Sequence, residues 1–421
     1  MSFRIATQAR GSRGRAGELA TPHGIVPTPA FMPVGTQATV KGITPRELQE
    51  AGVAILLCNA YHLAMRPGEG LIARQGGLHR FMGWPGPILT DSGGYQVFSL
   101  ARLARVADDG VDFQNPVSGS PVFFTPEKVV AIQLALGVDV LMPLDQPIAY
   151  PCEREMARVA MERTIAWAKR SLDYFRGRAM QDGVVILDSA ENHPSCHSEL
   201  VFRPERIRPG RTESPRPGVE EMPKQVRHDM QGGSSERSTS GGQNGNPASR
   251  PLLFGIVQGS VFPELRRECA TRLLEMGFDG LAIGGLSMGE DKRAMMDVLG
   301  ATLEAIPRET VVYLMGVGTP EDVSACARMG VDLFDCVLPT RNGRSGWAFT
   351  REGVLRLRNS RFADDGKPLD ESCGCYVCRS FSRSYLRHLF QSDEMLGPML
   401  VSLHNIHFYT NLTAGLRQEM A

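Results

Sequence analysis

From about residue 44 onward the sequence alternates between short apolar runs and longer amphipathic stretches, and this alternation restricts the available folds more than any other feature. The runs at 53–57, 87–90, 138–144, 252–257, 280–283, 311–315 and around Asp335 have the length and aliphatic content of buried strands. The stretches at 127–136, 154–175, 263–276, 292–305 and 320–329 space their apolar residues as helices do. Punctuation agrees. Thr44, Pro45 and Glu47 spell a capped helix start, and Gly137, Gly277 and Gly330 stand where helices should end. Repeated succession of strand and helix implies an α/β fold with a parallel sheet.

The strand ends narrow this further. Each run passes, on its C-terminal side, into polar or glycine residues: Asn59, Tyr61 and His62; Asp91-Ser92-Gly93-Gly94; Asp145-Gln146; Gln258-Gly259; Gly284-Gly285; Gly316; Asp335. A (β/α)8 TIM barrel draws its site from many strands at that face. A doubly wound open sheet would concentrate its glycines after the first strand. The expectation is therefore the barrel. Residues 1–180 would form its N-terminal part, with short strands or a meander before residue 44 closing one end, and 251–345 would form the remainder. Residues 346–421 would form a small zinc-binding subdomain with C-terminal helices. The stretch 181–250, rich in Pro, Arg, Ser and Gly, is far longer than an ordered barrel loop and reads as an insertion expected to be mostly disordered. Within it, 184–187 could add a stray strand. His193, Cys196 and His197 lack the second cysteine pair that would make them a metal site.

Composition excludes little beyond membranes and secretion. Of 421 residues, 42% are hydrophobic and the net charge is zero, so any nucleic-acid partner must be met by a local patch. No apolar run approaches the roughly 18 residues that span a bilayer, and the polar, arginine-rich start lacks the apolar core of a signal peptide. Nine cysteines, three of them within six residues, suit a reducing compartment and a metal better than a disulfide framework, so a cytoplasmic location is expected.

Chemistry concentrates at a few positions. Leu333-Phe334-Asp335-Cys336-Val337 is an apolar strand interrupted by one carboxylate, which breaks the rule for a buried strand. Asp91 and Asp335 end different strands, so both can face one pocket. A carboxylate pair suits displacement at a sugar anomeric carbon, one attacking and the other protonating the leaving group. Asp145, at a third strand end, can accept a pair of ligand hydrogen bonds. Taken singly, each aspartate reads equally as a helix cap or a turn former. Ser92-Gly93-Gly94 and Ile283-Gly284-Gly285-Leu286 allow close backbone approach to a flat ligand, and neither has dinucleotide or P-loop spacing. Cys373, Cys375 and Cys378 supply three thiolates on one turn. His404 or His407 would complete a closed tetrahedral set, the mark of structural zinc. Between 341 and 387, ten Lys and Arg oppose five Asp and Glu, a basic flank able to meet a polyanion.

These residues, taken together, resemble the tRNA-guanine transglycosylase family in its bacterial form. The resemblance rests on Asp91-Ser92-Gly93-Gly94-Tyr95-Gln96, Phe254-Gly255-Ile256-Val257-Gln258-Gly259, Ile283-Gly284-Gly285-Leu286, Tyr313-Leu314-Met315-Gly316-Val317-Gly318, Phe334-Asp335-Cys336-Val337-Leu338-Pro339-Thr340-Arg341, the cysteine turn and His404-Asn405, in order over nearly the whole chain except the insertion. It implies a (β/α)8 barrel with a zinc subdomain, acting as a homodimer. The implied reaction replaces the wobble guanine of tRNAs with GUN anticodons (those for Asp, Asn, His and Tyr) by a 7-deazaguanine base, 7-aminomethyl-7-deazaguanine, in queuosine biosynthesis. Asp335 then matches the nucleophile and Asp91 the general acid and base. Asp145, Gln258 and Gly285 match groups that read the base edge, and Leu286 a backbone contact beside them. Tyr95 and Met315 match the walls that sandwich the base, and Arg341 and Arg344 match residues that grip the anticodon loop. Cys373, Cys375, Cys378 and His404 match the zinc ligands, which favours His404 over His407.

Three departures accompany the resemblance. Gln146-Pro147 stands where the bacterial family commonly has Glu-Cys. Met288 stands where queuine-using eukaryotic enzymes have glycine, which points to a small base rather than queuine. The third is the insertion together with the C-terminus at Ala421. Two other readings remain open on the residues alone. A retaining glycoside or nucleoside hydrolase would use the carboxylate pair but leave the cysteine turn, Arg341 and Arg344 without a role. A non-catalytic tRNA-binding subunit would have no need of both Asp91 and Asp335.

Overall fold

The computed structural model describes residues 2–99, 104–115, 119–181 and 250–421. Its centre is a ring of eight parallel strands: β1 (Ala30–Pro33), β2 (Leu56–Asn59), β3 (Ile88–Asp91), β4 (Val140–Leu141), β5 (Leu252–Val257), β6 (Gly280–Ile283), β7 (Val312–Leu314) and β8 (Leu333–Cys336). The order around the sheet is β1-β8-β7-β6-β5-β4-β3-β2. A parallel bridge between Val34 and Leu57 brings its two edges together, with the Gly35 amide donating to Leu57 O at 2.7 Å. This is the (β/α)8 barrel that the alternation implied. Every residue of β5, β6, β7 and β8 is buried, as sheets covered by helices require.

The helices between the strands follow the sequence signals closely: Pro126–Leu136, Arg154–Gln181, Pro263–Met276, Lys292–Glu304 and Pro320–Arg328. The Thr44 hydroxyl accepts from the Glu47 amide and the Glu47 side chain accepts from the Thr44 amide, a complete capping box worth about 1 kcal/mol. Gly137 and Gly277 close their helices in the left-handed conformation. Gly330 does not: Met329 caps that helix in the right-handed region, and Gly330 takes the positive φ one residue later.

Two parts differ from the sequence reading. The meander is present as an antiparallel sheet of Phe3–Gln8, Arg15–Thr21 and Gly24–Thr28. The run after it, however, is β1 itself, paired in parallel with β8 at Phe31↔Phe334 and Asp335↔Met32. The prolines that hid this strand stand at its margins, outside or at the end of the ladder, where a missing N–H is tolerated. A second antiparallel sheet, Ala104–Ala107, Gly110–Gln114 and Pro121–Phe124, follows β3 and was not foreseen. The insertion and its proposed residues, 184–187, His193, Cys196 and His197, lie outside the described residues.

The N-terminal face of the barrel carries a repeated clamp. Asp139, Asp279 and Asp332 each precede a strand, and each accepts a backbone N–H from the first or second residue of a neighbouring strand: Ile88, Leu253 and Val312, at 2.8, 3.0 and 2.8 Å. Each also has a basic or imidazole partner. Asp332 pairs with Arg15, Asp279 with Arg250, and Asp139 with the stacked rings of His23 and His79, both at 2.9 Å. These are stability sites, as expected of that face.

Beyond β8 the chain forms the short helix Leu338–Arg344, a hairpin of Trp347–Thr350 and Gly353–Arg356, the cysteine turn, and the helices Arg383–Gln391 and Leu396–Glu419. The last of these reaches back to the barrel, where Arg417 Nη1 donates to Pro29 O at 2.7 Å. Among the described residues, no helix is long and apolar enough to cross a membrane.

Candidate active site and metal centre

The C-terminal strand ends converge as expected, and their carboxylates are dressed unlike those of the opposite face. Asp91 ends β3. Its Oδ2 accepts from Asn59 Nδ2 at 2.6 Å, while its Oδ1 is buried with no hydrogen-bond partner among the described residues. Such an orphan lone pair inside a polar pocket invites a ligand donor or a proton. Asp335, in β8, has Oδ1 held by the Tyr313 hydroxyl and the Gly316 amide, both at 2.7 Å. Its Oδ2 makes no hydrogen bond among the described residues. Asp145, past β4, accepts from Gln258 Nε2 at 2.8 Å and from the Ser92 hydroxyl at 3.4 Å. Among the described residues, none of the three meets a cation.

Electrostatics separates them. Burial, then the charge of Asp335 and more weakly that of Asp145, push the Asp91 carboxyl up to about 8, against the Asn59 hydrogen bond that lowers it. Burial lifts Asp145 to about 6, opposed by its bonds from Gln258 and Ser92. Asp335 is also raised by burial, but the Tyr313 and Gly316 donors favour its ionised form. Asp91, lifted to about 8, thus favours its protonated form at neutral pH, while the two donors on Asp335 oppose the effect of its burial, the division of labour expected of an acid and a nucleophile.

The rest of the strand-end site is built from glycines and their neighbours. A Cβ on Gly94 would stand 1.7 Å from Asp145 Oδ1, so only glycine fits there. Gly285 has φ +64°, and a Cβ on it would come 2.3 Å from Gln258 Oε1. Met315 lies beside Gly284, and Leu286 is buried next to it. Tyr95 sits in the first turn of the Gly94–Ser99 helix and is 57% exposed. Arg341 and Arg344 are on the Leu338–Arg344 helix just beyond Asp335, and Arg344 Nη1 is buried without a partner. Gln146 is drawn toward the Arg154–Gln181 helix: its Oε1 accepts from Arg163 Nη1 at 2.6 Å and its amide donates to Thr164 Oγ1 at 3.0 Å.

Sequence reasoning passed over Tyr313 and gave Asn59 no role. Tyr313 looked like one more large residue of an apolar strand, and nothing in the sequence says that its hydroxyl reaches the next strand. Asn59 was visible only as a polar strand end.

Cys373, Cys375, Cys378 and His404 form one cluster. His404 Nδ1 lies 4.0, 3.5 and 3.3 Å from the three sulfurs in that order. A tetrahedral zinc with Zn–S about 2.3 Å and Zn–N about 2.0 Å sets each N···S edge near 3.5 Å, so the donor set fits. His404 Nε2 is bonded to Phe349 O at 2.7 Å, which leaves Nδ1 as the lone-pair nitrogen facing the sulfurs. His407 instead meets Asn411 at 2.9 Å, so the choice between the histidines falls to His404.

The sequence model of the queuine tRNA-ribosyltransferase family matches residues 10–190 and 224–421. A queuine tRNA-ribosyltransferase of Syntrophobacter fumaroxidans is 43% identical over 420 residues, covering 100% of this chain and 94% of its own. Those of Thermoanaerobacter sp. and Solibacter usitatus are 41% and 43% identical, again over 100% of this chain and 93% and 94% of theirs. With the barrel, the carboxylate-lined strand ends and the Cys3His cluster already in place, this likeness over the full chain shows that the protein belongs to the queuine tRNA-ribosyltransferase family.

Proposed function

We propose that the reaction proceeds through a covalent tRNA–Asp335 intermediate, with Asp91 as the proton carrier. The chain is a tRNA-guanine transglycosylase of queuosine biosynthesis, a pentosyltransferase. Asp335 Oδ2 attacks C1′ of the wobble guanosine. The C1′–N9 bond breaks, its electron pair stays on guanine, and Asp91 delivers the neutralising proton. The incoming 7-deazaguanine base then loses its N9 proton to Asp91 and attacks C1′, and the ester to Asp335 breaks. Atoms and protons balance, and both carboxyls return to their starting states.

The observation that carries this reading is the contrast between the two carboxylates. One has a single donor, Asn59, with its other oxygen free among the described residues, and is lifted to about 8, and the other is held by two donors with no cation. Around them, Asp145, Gln258, Gly285 and Leu286 would read the base edge, and Tyr95 and Met315 would enclose its faces. Arg341 and Arg344 would grip the phosphates of a GUN anticodon loop, from tRNAs for Asp, Asn, His or Tyr, and the unpaired Arg344 Nη1 supports this. The exchanged base would be 7-aminomethyl-7-deazaguanine, in keeping with Met288. Zn²⁺ is the ion that the Cys3His set suits, held by Cys373, Cys375, Cys378 and His404 with no open position, hence structural. Residues 346–421 would then act as a zinc subdomain beside the barrel parts 1–180 and 251–345. A homodimer is supported by the exposed rings of Tyr376 and Tyr385, which pack on the half-buried Phe381 of that subdomain. A cytoplasmic setting suits the reduced thiolates.

Incorporation of labelled guanine into a GUN-anticodon tRNA tests the reading. The wild type is expected to incorporate and Asp335→Ala to lose at least about 10³-fold. Release of guanine without incorporation would point to a hydrolase instead. Tight tRNA binding with neither reaction would point to a non-catalytic subunit.

A further inference from the structure

Arg266 takes no part in the chemistry above, yet it is fully buried directly beneath the base-reading loops. It lies in the first turn of the Pro263–Met276 helix and has no exposed surface. Its hydrogen-bond partners among the described residues are all carbonyl oxygens. Nε donates to Ser260 O at 2.6 Å and Nη1 to Val257 O at 3.4 Å. Nη2 donates to Gly284 O at 3.0 Å and Gly285 O at 3.2 Å. One guanidinium thus ties together the loops that leave two neighbouring strands, β5 and β6. Burying a cation with only neutral partners is costly, and the pocket floor is where this chain does so. The space around it is tight as well: a Cβ on Gly259 would stand 2.9 Å from the Arg266 amide nitrogen.

The consequence for the pocket follows from peptide geometry. A trans peptide points its carbonyl and its N–H in opposite directions. With Gly284 O and Gly285 O turned down onto the guanidinium, the amides of Gly285 and Leu286 are turned up and away from it. Neither amide donates to an acceptor among the described residues. Gln258 packs against the same two glycines. Two parallel free donors in a buried site complement an acceptor oxygen and are left unpaired, or repelled, by an amino group.

We propose that Arg266 is a positioning residue that holds the Gly284-Gly285-Leu286 backbone so that its two free N–H groups select a purine or deazapurine bearing a 6-carbonyl over one bearing a 6-amino group. This rests on the base-exchange reading of the site. Lysine at 266 would keep the charge but cannot span four carbonyls, because an ammonium is a point donor where the guanidinium is a planar fork.

The test uses the full-length, metal-loaded protein, labelled guanine and a GUN-anticodon tRNA, with 2,6-diaminopurine as the competing 6-amino base. Wild type is expected to bind guanine at least about tenfold more tightly than 2,6-diaminopurine. Arg266→Lys is expected to raise the KM for guanine about tenfold, to change kcat less than about threefold, to leave the KM for tRNA unchanged, and to erase most of the discrimination. A folded Arg266→Lys with wild-type KM and discrimination would overturn the proposal, and so would a loss confined to kcat. Wild type that binds both bases equally would overturn it with no variant needed, so the proposal remains refutable even where substitutions at 266 prevent folding. Absence of any incorporation by wild type would instead sink the base-exchange reading, and this inference with it.

Discussion

Burial and the neighbouring charges of Asp335 and Asp145 lift the Asp91 carboxyl to about 8 in the folded chain, while an unfolded aspartate titrates near 4. Between those values the folded protein keeps a proton that the unfolded chain has released. Stability therefore falls as pH rises through this window and levels off above it. Asp91→Asn removes the titration. We expect that variant to lose base exchange, yet to gain stability relative to wild type by about 4 kcal/mol between pH 5 and pH 8.5, or several degrees in Tm. Thermal unfolding at the two pH values checks this, and a difference that stays constant with pH would mean that Asp91 titrates normally. Stability given up at a site for the sake of its chemistry is a common pattern. The same residue type serves the opposite purpose a few positions away. Asp332 precedes β8 and Asp335 lies within it, both buried. Asp332 meets Arg15 and a backbone amide, whereas Asp335 meets a tyrosine hydroxyl and an amide. Which carboxylates could face the site was legible from position relative to the strand end. Why Asp335 differs was not, because its partners come from other strands.

At the scale of elements, the Leu396–Glu419 helix joins the metal cluster to the proposed tRNA grip. His404 contributes its Nδ1 to the cluster, and the adjacent Asn405 is wholly buried. Asn405 Nδ2 donates to Pro339 O and Trp347 O at 2.9 Å each, and its Oδ1 accepts from the Phe349 amide at 2.9 Å. These bonds bracket the short helix that carries Arg341 and Arg344. Gly343 of that helix is packed so close that a Cβ would stand 2.6 Å from Ser402 Cα. Cys375→Ser should therefore lower bound metal and Tm together, since structural metal energy is folding energy. It should also raise the KM for tRNA about tenfold while leaving the KM for guanine near its wild-type value. Metal analysis, thermal unfolding and the two KM values report on it, and unchanged metal content and Tm would refute the structural role. Asn405 was visible beside His404 in the sequence. Its three partners, 56 to 66 residues away along the chain, were not.

At the scale of the molecule, all eight strands, all the proposed site residues and the metal cluster lie within residues 2–181 and 250–421. Deleting 182–249 and rejoining the ends with a short linker is expected to leave guanine incorporation within about threefold of wild type, because loop length costs little in stability. A large rise in the KM for tRNA in that deletion would show that the segment contributes to binding. The sequence by itself determined the class of fold, because strand and helix periods are local properties that each stretch carries within it. It determined the face on which chemistry would lie, because a polar residue ending a buried apolar run is conspicuous wherever the strand is placed. It also singled out the cysteine turn, whose three ligands are close along the chain. Only the tertiary structure decided that Ala30–Pro33 is a barrel strand rather than part of the meander, since its identity comes from pairing with β8 some three hundred residues later. It alone chose His404 over His407 on geometry, separated the aspartates clamped by basic and imidazole partners from those at the C-terminal strand ends, and placed Arg266 under the glycine loops. Each of these depends on a partner distant in sequence, and a hydrogen bond or a buried charge takes its meaning from what it meets in space.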